Sequence, residues 1–125
     1  MEREHSIKDM DIRIVKSPMP IKELEKMASD QFGGVVKAVV DVAEEIMAVG
    51  GELHSDEEVL LTEECSSKRE NLWGINIHPE KNGAGMIEFD SMINLKPAFG
   101  NRSRDVEDSK TKERIRNIVE KLITR

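Results

Sequence analysis

Two short stretches hold residues whose types and spacing could do chemistry. In Gly51-Glu52-Leu53-His54-Ser55-Asp56, an extended chain would put Glu52, His54 and Asp56 on one face at a period of two. An imidazole between two carboxylates suits Zn²⁺ or Mn²⁺, or acid–base work. His78, Glu88 and Asp90 would line the equivalent face of the next hairpin, and His78 and Glu88 complete a candidate metal or catalytic set. Against this, Asp and Glu supply 25 of 125 residues, so such groupings arise by chance. No H-E-x-x-H, C-x-x-C or D-x-D-x-D-G spacing accompanies them. Solvated strand faces are therefore the weightier expectation, and no cofactor is assigned.

The second stretch is the loop over residues 96–104, where Lys96, Asn101, Arg102, Ser103 and Arg104 precede a helix. Arginine forks match phosphate and carboxylate, and helix N-termini present free N–H groups, so the loop is a candidate anion site. Asp105, Glu107 and Asp108 follow at once, and internal ion pairs with loop bracing outweigh the ligand site. Nothing resembles G-x-x-x-x-G-K-[ST]. His5 is assigned to a frayed terminus. Cys65 has no neighbouring His to activate a thiolate. Trp73 alternates with Ile75 and Ile77, which points to packing rather than base stacking.

The elements that must position these groups follow from composition and pattern. The chain has 125 residues, 38% hydrophobic and 3% aromatic, with a net charge of −6. That length suits one domain spanning 1–125, with an ordered core over about 11–124. Acidity and the shortage of aromatics disfavour nucleic acid as a partner. No apolar run reaches membrane-spanning length, no secretory signal opens the chain, and a lone cysteine suits a reducing cytoplasm. Charge is unevenly divided: residues 1–94 hold 10 Lys+Arg against 20 Asp+Glu, while residues 95–125 hold 9 against 5. Nine acids and no Lys or Arg lie between residues 41 and 64. The plain expectation is a set of solvated strand faces. The sharper one is an acidic surface that meets the basic C-terminal part within one chain or across a homodimer.

Alternation in DIRIVK predicts a strand over 11–16, and Ile21, Leu24, Met27, Ala28 and Phe32 predict a helix over 20–32. Further strands are expected at 35–42 (VVKAVVDV), 46–50, 72–78 (LWGINIH) and 86–95. In the last of these, Ile87, Phe89, Ser91 and Ile93 share one face, and Asn82-Gly83 supplies the hairpin turn. Gly50-Gly51 marks a bulge or close backbone approach. Residues 55–64 are ambiguous: Ser55 and Glu58 have capping-box spacing, but the short run Val59-Leu60-Leu61-Thr62 favours a hairpin strand. Ile115, Ile118, Val119, Leu122 and Ile123 form the apolar stripe of a final helix, with Asp108 as its N-cap. The sum is an α+β fold: a mainly antiparallel sheet of about five or six strands with two helices on one face.

The segments GGELH, LWG and GNRSR, with VVKAVVDV and IEFDSMINLKP, resemble a family of short uncharacterised bacterial and archaeal proteins, a domain of unknown function. The resemblance spans residues 12–123 and implies the same strand-rich order, but carries no activity or catalytic residue. Residues 65–67 (Cys-Ser-Ser) depart from the family pattern by lacking a Gly-containing turn. The leading expectation is a non-enzymatic binding or interaction module, self-associating through its opposed charges. The alternatives are a small metal-dependent enzyme on the Glu52/His54/Asp56 face and a phosphate-ligand binder at Asn101, Arg102 and Arg104.

Overall fold

The computed structural model describes residues 12–30 and 32–125. His5 and the first residue of the expected opening strand, Asp11, lie outside them. The strands are β1 (Arg13–Val15), β2 (Met19–Pro20), β3 (Val36–Asp41), β4 (Ile46–Val49), β5 (Leu72–Ile77), β6 (Ile87–Glu88) and β7 (Ile123–Thr124). The helices are α1 (Ile21–Ser29), α2 (His54–Cys65) and α3 (Ser109–Leu122). Five strands make an antiparallel sheet in the order β1-β4-β3-β5-β6, and β2 pairs with β7 in parallel. This is an α+β arrangement.

Alternation along β3, β4 and β5 divides the core between two faces. Val36, Ala38, Val40, Met47, Val49, Ile75 and Ile77 pack against Leu24 and Ala28 of α1 and Ile115, Ile118, Val119 and Leu122 of α3. Each Val, Leu, Ile or Met side chain buried in this way contributes about 1.5–3 kcal/mol of transfer free energy. On the opposite face Val39, Ala48 and Leu72 pack with Ile12 and with Leu61 of α2. Two helices thus share one face, as expected, and a third covers the other. Asp108 caps α3: its carboxylate accepts from the Thr111 backbone N–H at 3.0 Å and hydroxyl at 2.7 Å. Those two bonds hold the Asp108 pKa below the usual carboxylate range.

Two expectations are corrected. Residues 55–64 are not a hairpin strand; they lie within helix α2, which starts at His54 with Leu53 as N-cap, so Ser55 stands inside the first turn and the capping box does not form. The buried residues of α2 are His54, Glu57, Glu58 and Leu61, so its inner face is largely polar and shows no apolar stripe. Its end is set by Ser66, which takes the left-handed conformation (φ 56°) that glycine usually supplies, while the Ser67 N–H returns to the Leu61 carbonyl at 3.2 Å. The Cys-Ser-Ser turn over residues 65–67 thus closes without a glycine.

The run over 86–95 is not one strand. β6 stops at Glu88; Ile87 and Phe89 join the α1/α3 core, whereas Ile93 joins the α2 core. The Asn82-Gly83 connection does join antiparallel strands, through a 3-10 turn at Gly83–Met86. Beyond β6 the free edge of β5 is met by a side chain. Asn94 Oδ1 accepts the Gly74 N–H at 2.8 Å, and its Nδ2 donates to the Gly74 carbonyl at 3.0 Å. The primary amide pairs with Gly74 as a neighbouring strand would. Gly74 is required there: a Cβ at this position would lie 2.5 Å from both Cβ and Oγ of Ser91.

Candidate functional site

Leu61 of α2 covers only part of its sheet face. Past it, Lys37 of β3, Asn76 of β5 and Glu88 of β6 stand in register across three strands. The N-terminus of α2 meets the sheet there. His54 Nε2 lies 2.7 Å from the Ile75 carbonyl, which can only accept, so Nε2 carries the proton and Nδ1 of the neutral ring is left as an acceptor. Burial pushes the His54 pKa below its usual value, outweighing the opposing effect of the bond to Ile75.

Asn76 Nδ2 donates to Glu88 Oε1 and to the Asp90 carbonyl, each at 3.1 Å, while its buried Oδ1 has no partner. Arg104 donates from Nε to Asp90 Oδ1 at 2.6 Å. Lys37, His54, Ser55, Asn76, Asp90 and Arg104 line a cleft of about 390 Å³. No side chain caps α2, and Leu53, His54 and Ser55 at its start line the cleft, so the positive end of its dipole lies beside it. A larger groove of about 650 Å³ lies elsewhere, beside Met86, Ile87 and Ile123 with Arg116 and Arg125. It gathers fewer polar groups and no histidine, so chemistry favours the smaller cleft.

The residues singled out by sequence divide as follows. Helical geometry, about 100° per residue, turns His54 and Asp56 away from one another, and Glu52 lies in the exposed turn before α2. Among the described residues no three His, Cys, Asp or Glu side chains gather as a metal set. His78 pairs instead with Glu88, Nε2 to Oε1 at 3.5 Å.

In the basic loop, Lys96 is buried: Nζ donates to the Ile93 carbonyl at 2.8 Å and sits 5.1 Å from the Trp73 ring centroid, and burial lowers its pKa. Asn101 is an internal brace. Its Nδ2 donates to the carbonyls of Asn94 (2.7 Å), Ser103 (3.1 Å) and Asp105 (2.7 Å), and its Oδ1 accepts the Glu107 N–H (2.8 Å). Ser103 Oγ accepts the Asp105 N–H at 3.3 Å, and the exposed Arg102 donates its backbone N–H to Glu107. Only Arg104 of this set reaches the cleft, where it meets His54 of the other set. Two stretches fifty residues apart in sequence therefore share one cavity. Lys37 and Asn76 were not anticipated, whereas Asp90 was expected beside His78 and Glu88. The available signal was Lys37 in VVKAVVDV and Asn76 in LWGINIH, polar residues facing each other across two largely apolar strands.

The acidic stretch is not uniformly solvated. Asp41 is buried and accepts from the Ala43 and Glu44 N–H groups and from Ser67 Oγ at 2.6 Å. Glu45 pairs with Lys121 of α3 at 3.1 Å, so acid and base do meet within the chain. Glu57 is fully buried under Gly51, whose N–H donates to its Oε2 at 2.9 Å. Burial raises its pKa well above the ordinary 4.5; the Gly51 bond and Lys37 oppose this, and Asp56 adds to it.

The sign follows from linkage: the folded state prefers the neutral acid, so this stability is complete below pH 4.5 and is lost as pH rises through the raised native value. Glu57→Gln keeps an acceptor for Gly51 and cannot ionise. It is expected to exceed wild type in stability by about 1–3 kcal/mol at pH 8, a gain that fades toward pH 4. Urea denaturation across that range checks this; parallel profiles for the two proteins would refute the assignment.

Fold and cleft together define an α+β protein with a polar, ligand-sized recess between a helix N-terminus and the sheet. The chain belongs to a family described as protein of unknown function (DUF5674), whose model matches residues 13–122. No curated protein and no solved structure matches it. No helix among the described residues is long and apolar enough to cross a membrane.

Proposed function

We propose that the protein is a binding module that takes a small anionic ligand, a phosphate or carboxylate, in the cleft at the start of α2. The observation that carries this is the convergence of Lys37, Arg104 and the uncapped α2 terminus on one recess. Burial disfavours the ionised form of Glu57 in the first turn, which weakens its compensation of the positive helix end. Nδ1 of His54 and Asp90 provide acceptors, so a ligand that also carries a hydroxyl or amine donor is favoured over a bare ion.

The test is a thermal-shift and calorimetric screen with inorganic phosphate, phosphate monoesters and small hydroxy acids. A ligand present at 100 times its Kd stabilises the folded state by about 2.7 kcal/mol. Lys37→Met is expected to abolish that shift while leaving unliganded stability nearly unchanged, since Lys37 is only half-buried. A wild-type protein indifferent to every anion would end this reading. A response to Mn²⁺ or Zn²⁺ alone would favour a metal centre at His54, or at His78 and Glu88, instead.

A further inference from the structure

A lysine is almost never buried without a carboxylate beside it. Lys96 is 9% exposed, yet no Asp or Glu of the described residues forms an ion pair with it. Glu58 pairs instead with Arg69, at 3.6 Å. Around Nζ stand the Ile93 carbonyl, at 2.8 Å, and the face of Trp73, its centroid 5.1 Å away. An ammonium has three N–H donors, so this shell serves it incompletely. Nor is the amine needed to close the loop. The Lys96 main chain already exchanges two hydrogen bonds with Asn101, at 2.8 and 3.1 Å, which also hold the side chain on a fixed backbone.

Lys96 lines a hollow of about 240 Å³. Ile93, Leu95, Pro97, Ala98 and Phe99 give it apolar surface, and the exposed Arg69 borders it. Burial lowers the Lys96 pKa; Arg69 adds to this and Glu58 opposes it. Apolar burial and a neighbouring cation are the two conditions that make a lysine nucleophilic toward carbonyl compounds. Because Glu58 engages Arg69, the hollow offers an apolar bed rather than a carboxylate anchor. A short, uncharged carbonyl compound suits it.

We propose that Lys96 is a covalent site for small neutral aldehydes, held as a reversible imine in the hollow beside Phe99. The lone pair of the neutral amine attacks the carbonyl carbon while the C=O π pair moves to oxygen. One proton passes from nitrogen to that oxygen through water, giving a carbinolamine. The hydroxyl takes a second proton from solvent and leaves as water as the C=N bond forms. Overall, ammonium and aldehyde give iminium and water, with charge conserved and no redox partner. The iminium keeps one N–H, which can still donate to the Ile93 carbonyl. This hollow shares only Ile93 with the cleft at α2, and the proposal does not depend on the anion reading.

The test treats the folded full chain with limiting propanal and cyanoborohydride, which fixes imines as propylamines, and locates the adducts by peptide mapping. Each unit of pKa depression raises the free-amine fraction about tenfold. Lys96 is therefore expected to be labelled at least about tenfold faster than the exposed Lys22, Lys68 and Lys110. In urea the preference should vanish, because it comes from the fold. Lys96→Arg keeps the charge but cannot form the imine, and should remove the fast phase while leaving slow surface labelling. Mapping of wild type decides the question even if that variant folds poorly. Labelling of Lys96 no faster than the exposed lysines overturns the proposal. So does a preference that persists in urea, or faster labelling by glyoxylate than by propanal.

Discussion

Asn101→Asp is expected to destabilise the protein by about 4 kcal/mol or more, although one heavy atom changes only from nitrogen to oxygen. The amide nitrogen of Asn101 donates to three main-chain carbonyls, and its oxygen accepts the Glu107 N–H. A carboxylate would set an acceptor against those three oxygens in a site that is 4% exposed. Each buried polar group left unsatisfied costs about 1–3 kcal/mol, and more when charged. The loss should appear as a lowered urea midpoint. It should be smaller at acidic pH, where the introduced carboxyl is neutral. A variant within about 0.5 kcal/mol of wild type would mean that the loop is not held by this residue.

Gly74→Ala comes next in size, at about 3 kcal/mol, toward the upper end of what overpacking costs. The added methyl would lie 2.5 Å from Cβ and Oγ of Ser91 and 3.1 Å from Cγ1 of Ile93. Ser91 also donates its N–H to the Arg104 carbonyl at 3.1 Å, so displacing it pulls on the segment that carries Arg104 to the cleft. Ligand response is therefore expected to fall together with stability. Ser91→Gly removes both of the 2.5 Å contacts and should recover part of the loss in the double variant. Purely additive effects would show that the two residues do not press on each other.

Much of the architecture was legible wherever a buried face is apolar. The stripe Ile115, Ile118, Val119, Leu122 predicts α3, and β-branched alternation predicts β3 and β5. Helix α2 escaped because its inner face is built from His54, Glu57, Glu58 and a single leucine; hydrophobic period cannot reveal an element that buries polar groups. The 86–95 run misled for the opposite reason. Its alternation is genuine, but backbone pairing ends at Glu88, and Phe89 and Ile93 serve different cores.

Of the cleft, His54, Asp90 and Arg104 were visible as reactive types, while their meeting was not, because it depends on α2 being a helix. In the basic loop, the expected bracing role suits Lys96 and Asn101, whose polar groups are bonded internally.

The Asn94–Gly74 amide pair has a consequence for solubility. An exposed strand edge is a template on which other chains can add strands, and natural sheets guard against this with short edges or covered ones. Here the outermost strands, β1 and β6, are three and two residues long. The stretch of β5 beyond β6 would be the longest vulnerable edge. At Gly74 its N–H and carbonyl are both taken by the Asn94 side chain, which offers no onward backbone to copy. An asparagine amide thus ends the ladder, and a substitution there would open a template for fibrous assembly as well as weaken a loop.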